Sequence, residues 1–127
     1  MLPRDRRGRR VTSDEGNGSA NPLVELLYFE GCPNYIDYLP RLRQILESAG
    51  MPPEVSLKRI DSEDMAASER FLGSPTVRVD GQDVEPAAAA RTEYGLQCRL
   101  YRTGSGWAGN PPDEWVRSAL HTAAEVA

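Results

Sequence analysis

Residues 23–40 combine a nearly unbroken apolar run, a Gly-Cys-Pro turn and the start of a helical pattern, and they restrict the fold more than any other stretch. Only Glu25 interrupts the run at residues 23–29, which predicts a central strand covered on both faces. Gly31 then permits a turn. Apolar side chains follow at three- and four-residue spacing, which predicts one apolar face of a helix. These residues are Tyr35, Tyr38, Leu39, Leu42, Ile45, Leu46 and Ala49.

Cys32 falls at the predicted N-cap of this helix, with Pro33 at the first helical position. The first turn of a helix presents unpaired amide hydrogens and the positive end of the helix dipole. Such a place lowers the pKa of a cysteine from about 8.5 toward roughly 3.5 to 7.5, and the thiolate attacks disulfides and binds soft metals. The alternative is a cysteine that only fills space. Its position favours Cys32 as a functional thiol.

Composition narrows the class of protein. The chain has 127 residues, 39% of them hydrophobic, which predicts one compact domain. The net charge of -4 argues against nucleic acid as the main partner. Two cysteines are too few for a disulfide scaffold and suit a reducing cytoplasm. No apolar run is long enough to cross a membrane. We therefore expect a cytoplasmic protein without a membrane partner, and no cofactor is indicated.

The N-terminal segment differs in composition from the rest. Small polar residues follow a cluster of five arginines, and no apolar signal-peptide core is present. This composition predicts a disordered tail over residues 1–21 and a folded domain over residues 22–127. The arginines are Arg4, Arg6, Arg7, Arg9 and Arg10.

Strand and helix patterns alternate after the first helix. A glycine and two prolines at residues 50–53 end that helix, and residues 55–60 predict a second strand. A short helix should follow, capped by Asp61 or Ser62 and running through Leu72. This alternation with short connections predicts an α/β architecture with a right-handed crossover between parallel strands.

A hairpin should come next. Asp80 and Gly81 separate two alternating segments at residues 76–79 and 82–85, a strong signal for antiparallel pairing. Pro75 directly precedes the hairpin. It is either an ordinary residue at a strand start or part of a cis peptide that holds that start beside a ligand.

A second alternating segment precedes the last helix. Residues 96–101 predict a short strand with Cys98 on its apolar side. Cys98 is then either a buried packing residue or a functional thiol, and Arg99 and Arg102 are expected to face solvent. Asn110 is the predicted cap of a closing helix that covers one face of the sheet. The apolar stripe of that helix is Trp115, Val116, Ala119, Leu120 and Ala123.

Three of these features together resemble the thioredoxin superfamily. Thioredoxins carry a Cys-x-x-Cys motif between a central strand and a helix, a proline eight residues beyond the first cysteine, and a cis-proline before a hairpin. Cys32, Pro40 and Pro75 match these positions, and the resemblance covers residues 23–85 plus the last helix. It implies a thioredoxin-like three-layer α/β/α sandwich with a mixed parallel and antiparallel sheet, a cis Ser74-Pro75 bond and an extra segment before the last helix.

The departures from the pattern matter equally. Tyr35 stands in place of the second motif cysteine, so the usual dithiol cannot form within the motif. Leu26 stands where thioredoxins carry a buried acid that assists proton transfer. In folds of this kind the loop after the hairpin lies next to the active cysteine. The resemblance therefore makes a Cys32 and Cys98 pair plausible without establishing it.

The resemblance implies a thiol redox protein whose partner is a protein or small-molecule thiol or disulfide. The implied catalytic residues are Cys32, Pro75 as a docking element and Cys98 as a resolving thiol. The implied substrate contacts are Asn34, Tyr35, Ser74 and Thr76.

Two other functions use the same residues. Cys32 and Cys98 could hold a soft ion such as mercury or copper(I). The chain is also similar to small bacterial thioredoxin-like proteins that are labelled alkylmercury-lyase related and carry a Cys-Pro-Asn motif and a late Gly-x-x-Cys-Arg segment. Lyase activity is not expected, because no acid partner is visible. The third possibility is an adaptor that has lost its redox pair and keeps only a groove beside Pro75.

Overall fold

The computed structural model of the chain describes residues 21–126. The predicted tail at residues 1–21 falls, apart from its last residue, outside the described residues. In chain order the elements are β1 (Val24–Tyr28), α1 (Asn34–Ser48), β2 (Ser56–Arg59), α2 (Glu63–Ser68), β3 (Thr76–Val79), β4 (Gln82–Asp83), a 3₁₀ turn (Ala88–Ala90), β5 (Tyr101–Thr103), β6 (Gly106–Ala108) and α3 (Asp113–Val126). Within the described part of the chain, no helix is both long and apolar enough to cross a membrane.

Strand β1 lies inside a mixed four-stranded sheet. The strand order is β2-β1-β3-β4. β1 runs parallel to β2 and antiparallel to β3, so that Leu26 lies opposite both Leu57 and Val77. β3 and β4 form the predicted antiparallel hairpin, with the second strand ending at Asp83 rather than at residue 85. Leu26 and Leu27 point to opposite faces of the sheet and are both fully buried, which confirms the prediction of a strand covered on both sides.

Helices cover both faces of this sheet and enclose two cores. The larger core lies between the sheet and helices α1 and α3. Its buried members are Val24, Leu26, Tyr38, Leu42, Ile45, Leu46, Val77, Val79, Val84, Val116 and Leu120. The smaller core lies on the opposite face and includes a residue of α2. Its buried members are Leu27, Ile60, Ala66 and Phe71. This arrangement confirms the predicted α/β architecture.

Helix α1 begins at Asn34, one residue later than the sequence predicts. Its N-cap is Pro33, not Cys32. The reason lies in the preceding turn, where the Cys32 amide donates to the Phe29 carbonyl at 3.3 Å and the Ile36 amide donates to Pro33 at 3.1 Å. Cys32 therefore closes the turn after β1 and stands directly ahead of the helix.

Helix α2 is shorter than predicted. Ser62 caps it, as one of the two predicted alternatives, by accepting from the Met65 amide at 3.0 Å. The helix ends at Ser68 rather than at Leu72. The chain turns through Arg70, which has a φ of 55°, because this conformation carries the side chain of Phe71 into the smaller core. Burial of an aromatic ring outweighs continuation of the helix.

The prediction for residues 96–101 is wrong in both structure and facing. The segment forms an isolated bridge between Ser74 and Cys98 instead of a strand, and β5 and β6 then form a separate hairpin. Arg99 and Tyr101 are buried, whereas Cys98 and Leu100 are exposed. The physical reason is that the Arg99 guanidinium pairs with the carboxylates of Asp83 and Glu85.

Helix α3 covers the sheet as predicted. Val116 and Leu120 of its stripe are buried, and Trp115, Ala119 and Ala123 pack against the same core. The cap prediction is wrong, because α3 begins at Asp113, beyond Asn110 and two prolines. Within the described residues, the side-chain oxygen of Asn110 is buried without a hydrogen-bond partner.

Candidate thiol site

The two cysteines of the chain meet in space. The Cys98 thiol donates to Cys32, with 3.0 Å between the two Sγ atoms, and both cysteines are free. A disulfide bond measures about 2.05 Å, so the pair is a dithiol in direct contact. The Cys32 thiol in turn donates to the Ser74 carbonyl at 3.5 Å. The structure thus brings together two thiols that lie 66 positions apart in the sequence, with most of the sheet between them.

Cys32 is positioned by the elements next to it in the chain. Cys32 follows β1 directly, in a turn that its own amide closes, and α1 begins two residues after it. The residue is completely buried. Negative charge on its sulfur would stand ahead of the N-terminal end of a 15-residue helix, where helix amides and dipole favour an anion.

Cys98 is positioned by the loop that contains the proline. The Ser74 amide donates to the Gln97 carbonyl at 2.8 Å, and the Arg99 amide donates to the Ser74 carbonyl at 2.9 Å. Both backbone groups of Ser74 therefore pair with the residues on either side of Cys98. This two-point attachment presents the Cys98 side chain to Cys32.

Gly73 makes this attachment possible. Its φ is +131°, and a Cβ atom there would lie 2.9 Å from the Gln97 carbonyl oxygen and 3.0 Å from the Arg99 Cα. A side chain at this position is strained by its backbone conformation and also collides with the neighbouring segment. The absence of a side chain at Gly73 lets the Gln97 to Arg99 backbone lie against the Ser74 loop.

Arg99 anchors the segment from inside the protein, which the sequence did not predict. Its guanidinium donates to the two carboxylate oxygens of Asp83 at 2.7 and 3.0 Å and to Glu85 at 2.7 Å. It also donates to the Thr76 hydroxyl at 2.9 Å and lies 4.4 Å from the centre of the Tyr101 ring. Burial works to lower the pKa of Arg99, but Tyr101 and the two carboxylates outweigh it and hold that pKa above its usual value. Arg99 therefore stays charged and fixed.

The peptide bond between Ser74 and Pro75 is cis, as predicted. The Tyr101 hydroxyl donates to the Pro75 carbonyl at 2.5 Å, and the Thr76 hydroxyl donates to the Gly73 carbonyl at 2.6 Å. Ser74 and Thr76 are both completely buried. Two of the predicted substrate contacts therefore hold the proline loop in place within the protein, with Pro75 between them.

The other two predicted substrate contacts, Asn34 and Tyr35, lie at the start of α1 and are half-buried. The Tyr35 ring stacks on Tyr28, with 4.1 Å between ring centres. The Asn34 amide lies against Gly109, where a Cβ atom would come within 3.0 Å of its nitrogen. Both side chains therefore line the interface between α1 and its neighbours. Their role in substrate binding stays a prediction.

The contact between the thiols affects the protonation of Cys98. Its pKa is raised, first by the hydrogen bond to Cys32, then by burial and by negative charge on Cys32. The Cys98 sulfur therefore holds its proton more tightly than an ordinary cysteine does.

The donor set of the site is limited to sulfur. Among residues 21–126, no group of three or more cysteine, histidine, aspartate or glutamate side chains is placed to hold a metal ion. Cys32 and Cys98 could supply two thiolate ligands, the number that a linear soft ion accepts.

Comparisons of the chain with protein-family models, with curated proteins and with solved structures found no match. The geometry of the two thiols is therefore the basis for the function proposed next.

Proposed function

We propose that this chain is a thiol redox protein with a thioredoxin-like fold, in which Cys32 and Cys98 alternate between dithiol and disulfide. The observation that carries the proposal is the distance of 3.0 Å between the two sulfur atoms. Closing it to a covalent bond of about 2.05 Å needs a shift of only about 1 Å.

The surroundings of the pair support a redox role. Cys32 stands between a central strand and a helix start, and its thiol donates to the residue before a cis-proline. A mixed sheet with helices on both faces fits the thioredoxin-like arrangement that the sequence resembles. This chain departs from the thioredoxin pattern in one respect. Its second thiol comes from Cys98, after the hairpin, and Tyr35 occupies the place of the second motif cysteine.

The proposed reaction is thiol-disulfide exchange with a protein or small-molecule partner, which suits a cytoplasmic protein. One sulfur of the pair attacks an external disulfide as a thiolate, forms a mixed disulfide and releases the first external thiolate. The other sulfur then attacks its neighbour and releases the second external thiolate. The chain loses two electrons and two protons, the external disulfide gains them, and the reverse sequence regenerates the dithiol.

A redox titration tests this function. The protein is equilibrated in buffers with increasing ratios of oxidised to reduced dithiothreitol, and free thiols are alkylated and counted by intact mass. We expect both thiols to disappear together in the monomer, in a single two-electron transition. Cys32→Ser and Cys98→Ser are the matched controls, and neither should form an internal disulfide. A wild-type chain that keeps two alkylatable thiols throughout the titration would contradict the proposal.

A second candidate function is the binding of one soft metal ion, because two thiols in contact are also a potential two-ligand site. The geometry favours it less. Metal-thiolate bonds of about 2.3 Å, the length found for zinc, would hold two opposed sulfurs roughly 4.6 Å apart, farther than the present 3.0 Å. Titration with copper(I) under anaerobic conditions distinguishes the two functions. Metal binding predicts one ion per chain with submicromolar affinity, lost in both serine variants.

A further inference from the structure

The two sulfur atoms differ in their access to solvent. Cys32 has 0% of its surface exposed, whereas Cys98 is exposed. A partner thiol or disulfide must touch a sulfur atom to exchange with it, so exposure limits which of the two can react with an external molecule.

From this asymmetry we infer that Cys98 is the sulfur that exchanges with external partners and that Cys32 is the internal, resolving thiol. The inference rests on the proposed redox function and reverses the roles that the sequence predicts for the two residues. It also names a substrate class, which is low-molecular-weight thiols and disulfides that reach Cys98 from solvent.

The chemistry of the disulfide form fits these roles. An external thiolate attacks the Cys98 sulfur, a bond forms between them, and the bond between Cys98 and Cys32 breaks with its electron pair on Cys32. The departing thiolate then lies ahead of α1, where negative charge is favoured. A second external thiolate attacks the external sulfur of the mixed disulfide and releases Cys98, which takes up a proton. Two external thiols are thereby joined as a disulfide, and the chain becomes the dithiol.

In the dithiol form the same sites are used in the opposite order. Cys98, once deprotonated, attacks an external disulfide and releases the first external thiolate. Cys32 then attacks the Cys98 sulfur of the mixed disulfide, and the bond from Cys98 to the external sulfur breaks. The second external thiolate leaves and takes up the Cys32 proton. The sulfurs already touch at 3.0 Å, so the resolving step needs no rearrangement of the chain. The Cys98 proton leaves with the first external thiolate.

The backbone around the proline determines the substrate class. An extended peptide gains affinity and register by pairing with free backbone groups of a protein strand. At Ser74 both groups already pair with Gln97 and Arg99, and Gly73 lies in contact with the same segment. Residues 97–99 of the chain therefore occupy the position beside the proline where an extended peptide would pair. A small molecule needs contact only with the exposed Cys98 sulfur, so it is the partner that fits this site.

The test compares Cys32→Ser, which leaves Cys98, with Cys98→Ser, which leaves Cys32. Each reduced variant is mixed with cystamine, a small disulfide, and the mixed disulfide is followed by intact mass. Exposure predicts that the Cys32→Ser variant reacts faster by roughly tenfold or more. When both variants are unfolded in urea, they should react with cystamine at similar rates. Similar rates there would show that folding causes the difference between them. Cys32→Ala repeats the measurement without a buried hydroxyl.

The outcomes separate this inference from the proposed function. If the wild type forms the internal disulfide but Cys98→Ser reacts as fast as Cys32→Ser or faster, the roles are wrong and the redox function stands. If the wild type forms no internal disulfide, the redox function fails whatever the order of reactivity.

The substrate class is tested with a second disulfide. Cys32→Ser is mixed with a ten-residue peptide that carries one cysteine disulfide-bonded to cysteamine, so that the reacting groups match those of cystamine. We expect the peptide to react no faster than cystamine. A peptide that reacts roughly tenfold faster or more would show productive docking of an extended chain and overturn the assignment.

Discussion

The two halves of the thiol site are built in different ways. Cys32 is positioned by its chain neighbours: a central strand, a turn and a helix start. Cys98 belongs to no helix or strand and is positioned by contacts with residues distant in the sequence, above all Ser74, Asp83 and Glu85. One thiol can therefore be located from the local sequence pattern, whereas the position of its partner depends on tertiary contacts. Changes to those contacts should therefore disturb Cys98 and leave Cys32 in place.

The largest effect is expected from Arg99→Met. The substitution leaves Asp83 and Glu85 without their shared buried cation, and loss of one partner from a buried ion pair costs about 3 to 5 kcal/mol. Denaturant unfolding should show a loss of free energy in that range. Arg102→Met is the control, because Arg102 is exposed and lies 5.8 Å from the Trp107 ring, and it should change stability by less than about 0.5 kcal/mol. Equal losses in both variants would contradict the anchoring role of Arg99.

An intermediate effect is expected from Gly73→Ala, because the new Cβ would lie within 3.0 Å of the segment that carries Cys98. Backbone strain alone costs roughly 1 to 3 kcal/mol. Displacement of Cys98 should also slow formation of the internal disulfide by roughly tenfold to a hundredfold.

Gly81→Ala is a matched control for this prediction. Gly81 also has a positive φ, +83°, but nothing lies within 4 Å of the position of its Cβ. Gly81→Ala should lower the free energy of unfolding through backbone strain, while the rate of disulfide formation stays at the wild-type value. A normal rate in Gly73→Ala would show that the segment does not need this close approach.

The smallest effect concerns the protonation of Cys98. The hydrogen bond to Cys32 raises the pKa of Cys98, so the native state holds this proton more tightly than the unfolded chain. The resulting stability is complete below the ordinary cysteine pKa of about 8.5 and is lost as pH rises through the folded value. Cys32→Ala removes the main cause, and the pH midpoint for alkylation of Cys98 should move downward. An unchanged midpoint would mean that Cys32 does not control this proton.

Periodicity correctly predicted the central strand, the hairpin and the apolar face of α3, because these elements bury side chains in simple patterns. It failed at residues 96–101, where alternation placed Cys98 inside and Arg99 outside. The structure reverses this facing, since Asp83 and Glu85 compensate the burial of Arg99. The two carboxylates stand two residues apart, Asp83 in β4 and Glu85 just beyond it, and this spacing was the available signal. It does not reveal which distant cation will pair with them.

The separation of Cys32 and Cys98 along the chain has a consequence for stability. They are 66 positions apart, so a bond between them would tie the β1–α1 turn to the segment before the second hairpin and enclose most of the sheet. Closing a loop of this length restricts the unfolded chain by an amount worth about 4 kcal/mol. A disulfide between the two cysteines would therefore raise the free energy of unfolding, and the disulfide form would stay folded at temperatures that unfold the dithiol form.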